Sequence, residues 1–483
     1  MRIAIIGGGV AGSTAALRLS GLGAEITLFE KAADISSGPP YCHLHAGGNL
    51  YREISDEQCL TLLRQSIDFA RAYPYTIDRR PTVIALPVDD PGTPEALLPR
   101  LDKLKKAYAE LIESDLSNAV LGECEAYYRL YDKQTARTLG RRKPVASPRT
   151  PDEWMIPALQ ELDLDALQFP LVLVQEYGIN LFRYAAGVTL ELQVNEDVTL
   201  RLGTAVQSIE ACGDQWYVAY SDSEGAHSDA FDYLINASGF RTGSVDDLVG
   251  VRAERMVEFK ASYIAKHDAY RGTLFPEIII HGQRGTPKGM AQFTPYPGGY
   301  FQLHGMSRSI TLYDDGLARS SDQSAQPQLE AHFIDKLDHA WQLSEIETRT
   351  RSAIAHVAQF IPAFCCAHTG SKPLFGAQQI PGDDPTLRVA EVVFPLPRYA
   401  RCEIVKVSSA LDMADAVLKQ MVSEGIVENP DKKQFVPGHS RDEQRLAEAA
   451  RSVAHARGYP VSMADLTVMG RNESDSHVTK LAV

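Results

Sequence analysis

Residues 2–12 of the chain read RIAIIGGGVAG. The five residues before the glycines are mostly apolar and predict a short β-strand, while residues 13–22 show the apolar spacing of a helix. A strand, a glycine turn and a helix in this order predict the start of a Rossmann-type βαβ unit, which binds dinucleotides. A glycine pattern alone is a weak signal, so the neighbouring elements must agree with it.

Each glycine of the pattern has a separate physical task. Gly7 permits the tight turn, Gly9 lets the backbone approach a pyrophosphate, and Gly12 lets the helix pack closely on the strand. The first helical residues, Val10 and Ala11, offer backbone N–H groups and the positive end of the helix dipole to an anion. The sequence therefore predicts a pyrophosphate site at this turn.

A second strand is predicted at residues 25–29, and it ends at Glu30 and Lys31. A carboxylate at this place can accept hydrogen bonds from a ribose 2′-hydroxyl, which favours FAD or NAD. No second glycine pattern follows, so we expect no separate nicotinamide domain. Electrons should then enter from an organic substrate.

The composition restricts the classes of partner. The chain has 483 residues, enough for two or three domains, and a formal net charge of −14. So acidic a chain argues against a nucleic-acid partner, because phosphate binding needs a concentrated basic surface. A small-molecule substrate fits better. No apolar run is long enough to span a bilayer, so we expect a cytoplasmic protein with peripheral membrane contact left open.

The seven cysteines form no regular framework, which favours a reducing compartment. The chain has no CxxC pair, which argues against a dithiol flavoprotein. The adjacent Cys365 and Cys366 are expected to be buried small apolar residues. We also expect a turn at residues 154–157, and no metal site anywhere.

Later segments of the chain continue the nucleotide-binding pattern. A buried strand that ends in small residues is predicted at 231–239, after a helix and two strands at 180–190, 198–209 and 216–221. This order resembles the D-amino-acid oxidase and glutathione-reductase group of flavoproteins, whose nucleotide domain is assembled from separated segments. The resemblance implies an α/β fold and FAD as the cofactor.

The resemblance also implies further cofactor contacts. The backbone of Ala205 or Val206 would contact the adenine, and the small strand end would be residues 237–239, including Ala237 and Gly239. The strand and helix at residues 401–421 resemble the last flavin-contacting turn of that group, with Ser408, Ser409 and Ala410 at the turn. An ordinary capped helix is the alternative interpretation of this last segment.

Four regions follow from these elements. We predict a Rossmann-type FAD-binding domain from residues 1–50, 165–250 and 370–425, a helical insertion at 51–164, an antiparallel substrate sheet at 251–369, and a C-terminal helical tail at 426–483. The insertion is a candidate cap over the active site, or a set of packing helices. The tail is a candidate accessory or partner-binding segment.

The sequence YCHLHAGGN at residues 41–49 is predicted to face the flavin. It is similar to a loop of FAD-linked L-2-hydroxyglutarate dehydrogenases and malate:quinone oxidoreductases, and GAQQI at residues 376–380 resembles the latter family again. Other signatures of that family are absent. His45 is the first candidate for the catalytic base, because histidine titrates near neutrality. The alternative is that His43 or His45 only hydrogen-bonds the loop or tethers the flavin covalently.

The predicted substrate sheet is rich in polar side chains. Arg284 or Arg308 could bind a carboxylate, and Tyr296 or His304 could orient the reacting group. Strand alternation puts Tyr300, Gln302 and His304 on one face, which is either the pocket side or the solvent side. A further strand is predicted to begin at Ile310.

The sequence thus predicts an FAD-dependent dehydrogenase or oxidase that acts on a small carboxylate-bearing substrate, with a 2-hydroxy acid favoured. An amino-acid or amine oxidase is the second hypothesis. A flavin monooxygenase is disfavoured, because the glycine–aspartate pair that such enzymes carry before the last helix is replaced by Lys406 and Val407. A non-catalytic FAD-binding maturation partner is a further alternative. The electron acceptor stays open among quinone, oxygen and a protein carrier.

Overall fold

The computed structural model describes residues 1–36, 43–44, 54–383, 391–428 and 442–467. The strands in this part of the chain are β1 (Arg2–Ile6), β2 (Glu25–Phe29), β3 (Ile77–Asp78), β4 (Thr82–Ala85), β5 (Tyr128–Tyr131), β6 (Leu171–Val174), β7 (Gly178–Ile179), β8 (Val198–Arg201), β9 (Ala205–Cys212), β10 (Gln215–Asp222), β11 (Gly225–Phe231), β12 (Tyr233–Asn236), β13 (Arg255–Lys266), β14 (Glu277–Ile280), β15 (Ala291–Tyr296), β16 (Tyr300–Gly305), β17 (Leu317–Arg319), β18 (His368–Thr369), β19 (Leu374–Pro381), β20 (Glu391–Leu396) and β21 (Tyr399–Glu403).

The α-helices alternate with these strands. They are α1 (Val10–Leu19), α2 (Asp56–Ala72), α3 (Leu98–Ser114), α4 (Lys133–Leu139), α5 (Pro151–Glu161), α6 (Leu181–Gln193), α7 (Thr242–Leu248), α8 (Ala331–Asp338), α9 (Leu343–Val357), α10 (Ala410–Ser423) and α11 (Glu443–Ala456). No helix within the described ranges combines the length and the apolar character needed to cross a membrane.

The first sheet confirms the predicted α/β fold class. Its six strands run in the order β20-β21-β12-β1-β2-β8, and every pair except β20 and β21 is parallel. The strands come from the beginning, middle and end of the chain, as the separated-segment pattern predicts. Since the central strands β1 and β12 are covered on both faces, they are apolar almost throughout.

The second large sheet includes the strands of the region predicted as the substrate domain. Its main path is β17-β13-β16-β15-β14-β4-β6-β5, with β18 and β19 paired to β13. Most pairs are antiparallel, and β4 and β14 are parallel. Strands β4 and β5 come from the segment predicted as a helical insertion, so this segment also builds the substrate sheet. The domain boundaries themselves stay a prediction.

Three local expectations were wrong. Residues 154–157 lie inside α5, where the Thr150 side chain and Glu153 form a capping box that starts the helix, and burial of its apolar residues offsets the cost of Pro157 in its interior. Cys365 and Cys366 are exposed, with their Sγ atoms 3.9 Å apart, because they end a short surface 3-10 helix. The run from Ile310 is a turn rather than a strand.

Helix α6 buries one carboxyl group without a hydrogen-bond partner among the described residues. This group belongs to Glu191, which is 8% exposed. Burial raises its pKa from the usual 4.5 to about 8. In the unfolded chain the same carboxyl ionises near its usual pKa. Its contribution to stability is therefore full below the lower pKa and is lost as the pH rises to the upper one.

We expect Glu191→Gln to flatten this pH dependence. The two proteins should unfold alike at about pH 4, and the variant should be more stable by up to about 5 kcal/mol at about pH 9, because it has no charge to bury. Thermal unfolding across this range measures the effect. Glu210→Gln, at an exposed strand position, serves as the control. A constant difference between Glu191→Gln and wild type at all pH values would contradict the prediction.

Candidate active site and cofactor cradle

One cavity of about 490 Å³ lies at the carboxyl ends of the parallel strands. Each strand contributes the residues that follow it: Gly7 after β1, Glu30 after β2, Ala237 after β12 and Val405 after β21. The opposite wall comes from β13, β15, β16 and β19 of the second sheet. Ligands of open α/β sheets bind at this edge, so the topology itself places a ligand between the two sheets.

The glycine turn has the form that a pyrophosphate requires. Gly7 has a φ of +105°, and a Cβ there would lie 2.4 Å from the Ala237 carbonyl oxygen. A Cβ on Gly12 would lie 1.9 Å from the Gly7 oxygen, so only glycine allows this packing of helix on strand. A Cβ on Gly9, in contrast, would enter open space at the cavity wall. The close contacts shape the turn, and Gly9 leaves room for a ligand.

The helix start is free to bind an anion. Gly9 is the N-cap of α1 and has no side chain that could cap the helix, and no acidic residue stands in its first turn. Val10 and Ala11 line the cavity. Their backbone N–H groups, which have no partner within the helix, and the helix dipole therefore favour a negatively charged group at this point.

Glu30 lies at the cavity wall, as the sequence predicted. Its carboxylate accepts the Gly8 N–H at 2.7 Å and the Ala32 N–H at 2.8 Å, which holds the turn and the second strand together. Burial raises the pKa of Glu30, while these two backbone donors lower it. Each oxygen keeps a second lone pair that a ribose hydroxyl can use. Lys31 lines the cavity beside it and pairs with Asp338.

The remaining cofactor candidates fall into two groups. Val206, Ala237, Gly239 and Ser408 line the cavity. Ser409 and Ala410 are buried behind this wall, where the Ser409 hydroxyl donates to the Lys406 carbonyl at 2.6 Å and holds the last turn. Gly12 is also behind the wall. These three positions shape the cradle without lining it.

His43 is a cation in a buried ion network. Its Nδ1 lies 3.0 Å from Glu277 and its Nε2 3.5 Å from Glu176, while Arg80 donates to Glu277 at 2.8 Å. Burial alone would lower the pKa of His43, but the two carboxylates raise it to about 9. Both ring nitrogens face these carboxylates, so the side chain is a fixed positive charge at the cavity wall. His45 lies outside the described residues, and its predicted role stays a prediction.

The second sheet supplies a distinct polar end of the cavity. His304 on β16 faces the cavity, with its Nδ1 2.9 Å from the Ser262 hydroxyl. Burial and the nearby cations Lys260 and Arg284 lower the pKa of His304 to about 3, so the imidazole is neutral. Lys260 on β13 and Lys406 after β21 line the same cavity. This end therefore combines a neutral imidazole with two ammonium groups.

The other two catalytic candidates lie apart from the cavity lining. Arg284 pairs with Glu258 and donates to the Met306 sulfur at 3.3 Å. Tyr296 packs in an apolar cluster with α6 and α11, and its hydroxyl donates to Gln302 at 3.0 Å. On the face that holds Tyr300, Gln302 and His304, Gln302 is buried and the other two are partly buried, and His304 lines the cavity, so this face is not the solvent side.

Sequence reasoning missed Lys260 and Arg241, which also line the cavity. A weak signal for Lys260 exists in the sequence. Glu258 and Lys260 alternate with apolar residues on a strand that is otherwise buried, and such charges are expensive unless they are paired or used. Arg241 follows a strand end that was recognised, but the direction of its side chain depends on Asp338 from a distant helix.

The shape and charge of the cavity fit FAD. The wall is open at Gly9 and Gly239, a helix start faces the cavity, and Lys31, Arg241, Lys260 and Lys406 outnumber the single carboxylate Glu30 among the described lining residues. A pyrophosphate needs this kind of site. Within the described ranges, no group of three or more histidine, cysteine, aspartate or glutamate side chains could hold a metal ion.

Comparisons with known proteins bear on the family and the fold of the chain. A model of the family described as "FAD dependent oxidoreductase" (DAO) matches residues 2–377. No curated protein sequence matches the chain.

Three solved structures share the fold. Glycerol-3-phosphate dehydrogenase from Bacillus halodurans, complexed with FAD, is 13% identical with a TM-score of 0.56, over 95% of this chain and 73% of that one. Glycine oxidase from Geobacillus kaustophilus is 14% identical with a TM-score of 0.54, over 91% and 99%. L-amino acid deaminase from Proteus vulgaris is 12% identical with a TM-score of 0.55, over 87% and 93%.

We expect Gly9→Ala and Gly12→Ala to fail in different ways. The new methyl group at Gly9 would occupy the ligand space, so FAD affinity should fall at least about tenfold while the apoprotein keeps its melting temperature. The methyl group at Gly12 would collide with backbone and should destabilise the apoprotein itself.

Apoprotein melting and FAD titration separate the two effects. Gly272→Ala is the matched control, because its Cβ would also meet open space but lies away from the cavity. Equal FAD affinity in Gly9→Ala and Gly272→Ala would contradict the assignment of the cradle.

Proposed function

The chain belongs to the family of FAD-dependent oxidoreductases, and we propose that it oxidises a small carboxylate-bearing substrate, with a 2-hydroxy acid favoured. One observation carries the proposal. Lys260, His304 and Lys406 come from three separate parts of the chain and line the same cavity, where both lysines are close enough to lower the pKa of His304. Two cations beside a neutral imidazole suit an anionic substrate that must lose a proton.

The substrate carboxylate would bind between the ammonium groups of Lys260 and Lys406. Lys260 keeps a partner in Glu258, whose carboxylate is 3.1 Å away and is shared with Arg284. Charge-assisted hydrogen bonds in a buried site are strong and orient the ligand. In this proposal the two lysines take the role that the sequence suggested for Arg284 or Arg308, since Arg308 is an exposed partner of Asp314.

His304 would accept the hydroxyl proton. When Nδ1–H donates to the Ser262 hydroxyl, Nε2 keeps its lone pair for the substrate. A bound carboxylate offsets the positive potential of Lys260 and Lys406, and this raises the pKa of the imidazole toward the range of a general base. FAD, when bound, supplies the acceptor for the two electrons that leave the substrate carbon.

Amino acids are the second substrate class. Glycine oxidase and L-amino acid deaminase are among the structures with this fold, and the same pair of lysines would bind an amino-acid carboxylate. A protonated amine is less suited to a wall that carries Lys260 and Lys406. The local resemblance to malate:quinone oxidoreductase and L-2-hydroxyglutarate dehydrogenase favours hydroxy acids. The acceptor that reoxidises the cofactor is quinone, oxygen or a protein carrier.

Anaerobic bleaching of the purified holoprotein tests the substrate class. We expect 2-hydroxy acids to remove the absorbance at about 450 nm, and amines without a carboxylate to leave it unchanged. Bleaching by amino acids alone would transfer the proposal to the second class. Bleaching by simple amines alone would contradict the carboxylate requirement.

Variants of the polar end test the assigned roles. Lys260→Met should raise KM by about tenfold or more, because it removes half of the carboxylate site. His304→Asn should lower kcat by about 100-fold or more and change KM little. Arg308→Met is the control, with wild-type kinetics expected for an exposed side chain outside the cavity. A His304→Asn variant with unchanged kcat would contradict the base assignment.

A further inference from the structure

A strained residue closes the cofactor turn. Ser36 has a φ of +56°, which is uncommon for a residue other than glycine, and its side chain is buried at the cavity wall. Its N–H donates to the Gly8 carbonyl at 3.0 Å, inside the glycine turn. Such a conformation costs about 1 kcal/mol or more and persists only where surrounding contacts hold it. The contacts that hold Ser36 therefore also hold the cradle.

The holding contact comes from the C-terminal segment, residues 442–467. The Arg457 guanidinium donates to the Asp34 carboxylate at 2.6 Å, to the Ile35 carbonyl at 2.7 Å and to the Ser36 carbonyl at 3.3 Å. Three acceptors on consecutive residues match the planar fork of an arginine, which a lysine cannot reproduce. The Arg457 side chain is 13% exposed, so the contact is largely removed from solvent.

The same segment supports the second fixed point of the wall. The Thr467 N–H and hydroxyl donate to the Asp78 carboxylate at 3.0 and 2.7 Å. Asp78 binds Arg80 at 3.0 Å, and Arg80 holds the Glu277 carboxylate that pairs with His43. The segment is thereby linked to His43 through a chain of buried charged groups. Removal of one member leaves the others without compensation.

Buried polar contacts anchor the segment itself to α6. One guanidinium nitrogen of the buried Arg183, Nη2, donates to both carboxylate oxygens of Glu443, at 2.6 and 2.8 Å. The Asn180 amide donates to the Met463 and Asp465 carbonyls at 2.9 and 3.3 Å. Leu446, Ala450 and Ala454 are fully buried against the same helix. The segment is thus a fixed part of this chain that contacts the cavity wall at Ser36 and is linked to His43 through Asp78, Arg80 and Glu277.

We propose that residues 442–467 form a C-terminal clasp, in which Arg457 and Thr467 are positioning residues for FAD. Arg457 fixes the Ser36 turn against the pyrophosphate loop, and Thr467 steadies the charge network behind His43. Neither residue lines the cavity, so both act through the residues that do. The proposal concerns cofactor binding and is independent of the substrate.

Titration of the apoprotein with FAD tests the clasp. We expect Arg457→Gln to weaken FAD binding about tenfold or more, and Arg457→Lys to fall between it and wild type, because lysine keeps the charge but cannot serve three acceptors. Arg451→Gln is the matched control. It removes an arginine of the same helix that pairs with Asp465 and does not reach the cavity wall, and wild-type affinity is expected.

Apoprotein melting separates positioning from general stability. A purely structural arginine would lower the melting temperature in Arg457→Gln and leave FAD affinity unchanged, which would overturn the proposal. Thr467→Val provides an independent arm at the other contact and keeps the backbone N–H, with about threefold weaker FAD binding expected. Wild-type FAD affinity in both Arg457→Lys and Thr467→Val would also overturn the proposal, even if Arg457→Gln does not fold.

Discussion

The close approach of α1 to the ends of β1 and β12 is the constraint on which the cavity depends. The Gly12 position lies so near the Gly7 carbonyl that no side chain fits, and Gly7 in turn touches the backbone at Ala237. The two strand ends are joined directly, since the Ala237 N–H donates to the Ile6 carbonyl at 2.9 Å. Helix and strands therefore meet at a fixed distance, and the unpaired N–H groups of the helix start are aimed at one place. This distance therefore determines the shape of the cavity edge at the glycine turn.

Buried charge pairs join the parts of the chain that the sheet hydrogen bonds do not. Asp246 of α7 binds Arg255 at the start of β13 and Arg401 of β21, and Glu403 completes the cluster with Arg401 at 3.1 Å. These contacts connect the cofactor sheet, the substrate sheet and the turn that carries Lys406. A buried ion pair adds little net stability over an apolar pair, but it strongly penalises any arrangement that separates the partners. The clusters around Asp246 and Glu277 thus fix the relative positions of the segments that carry the paired charges. Both clusters lie behind the cavity wall.

Patterns within short stretches made the cofactor half of the structure predictable. The glycine turn, Glu30 and the small strand end at Ala237 can each be recognised from what a short stretch of backbone requires at that position. All of them lie where the sequence predicted them. The substrate half was harder, because its cations reach the cavity by strand pairing across long separations. Lys260 meets His304 only after β13 has paired with β16, and no spacing in the sequence encodes that contact. His43 shows the same limit: Glu176 and Glu277, which are distant from it in the sequence, make a cation of a histidine for which the sequence suggested only a loop hydrogen bond or a flavin tether.

The opposite fates of the two histidines come from one electrostatic rule. His43 and His304 are both withdrawn from water, which on its own lowers the pKa of each. The partners then decide the outcome: Glu277 and Glu176 charge the first, whereas Lys260 and Arg284 keep the second neutral. The wall thus holds one imidazole whose charge is matched by carboxylates and one imidazole that is uncharged. Lys31, Arg241, Lys260 and Lys406 line the same wall in a chain of net charge −14, so the positive potential belongs to the cavity and not to the protein as a whole.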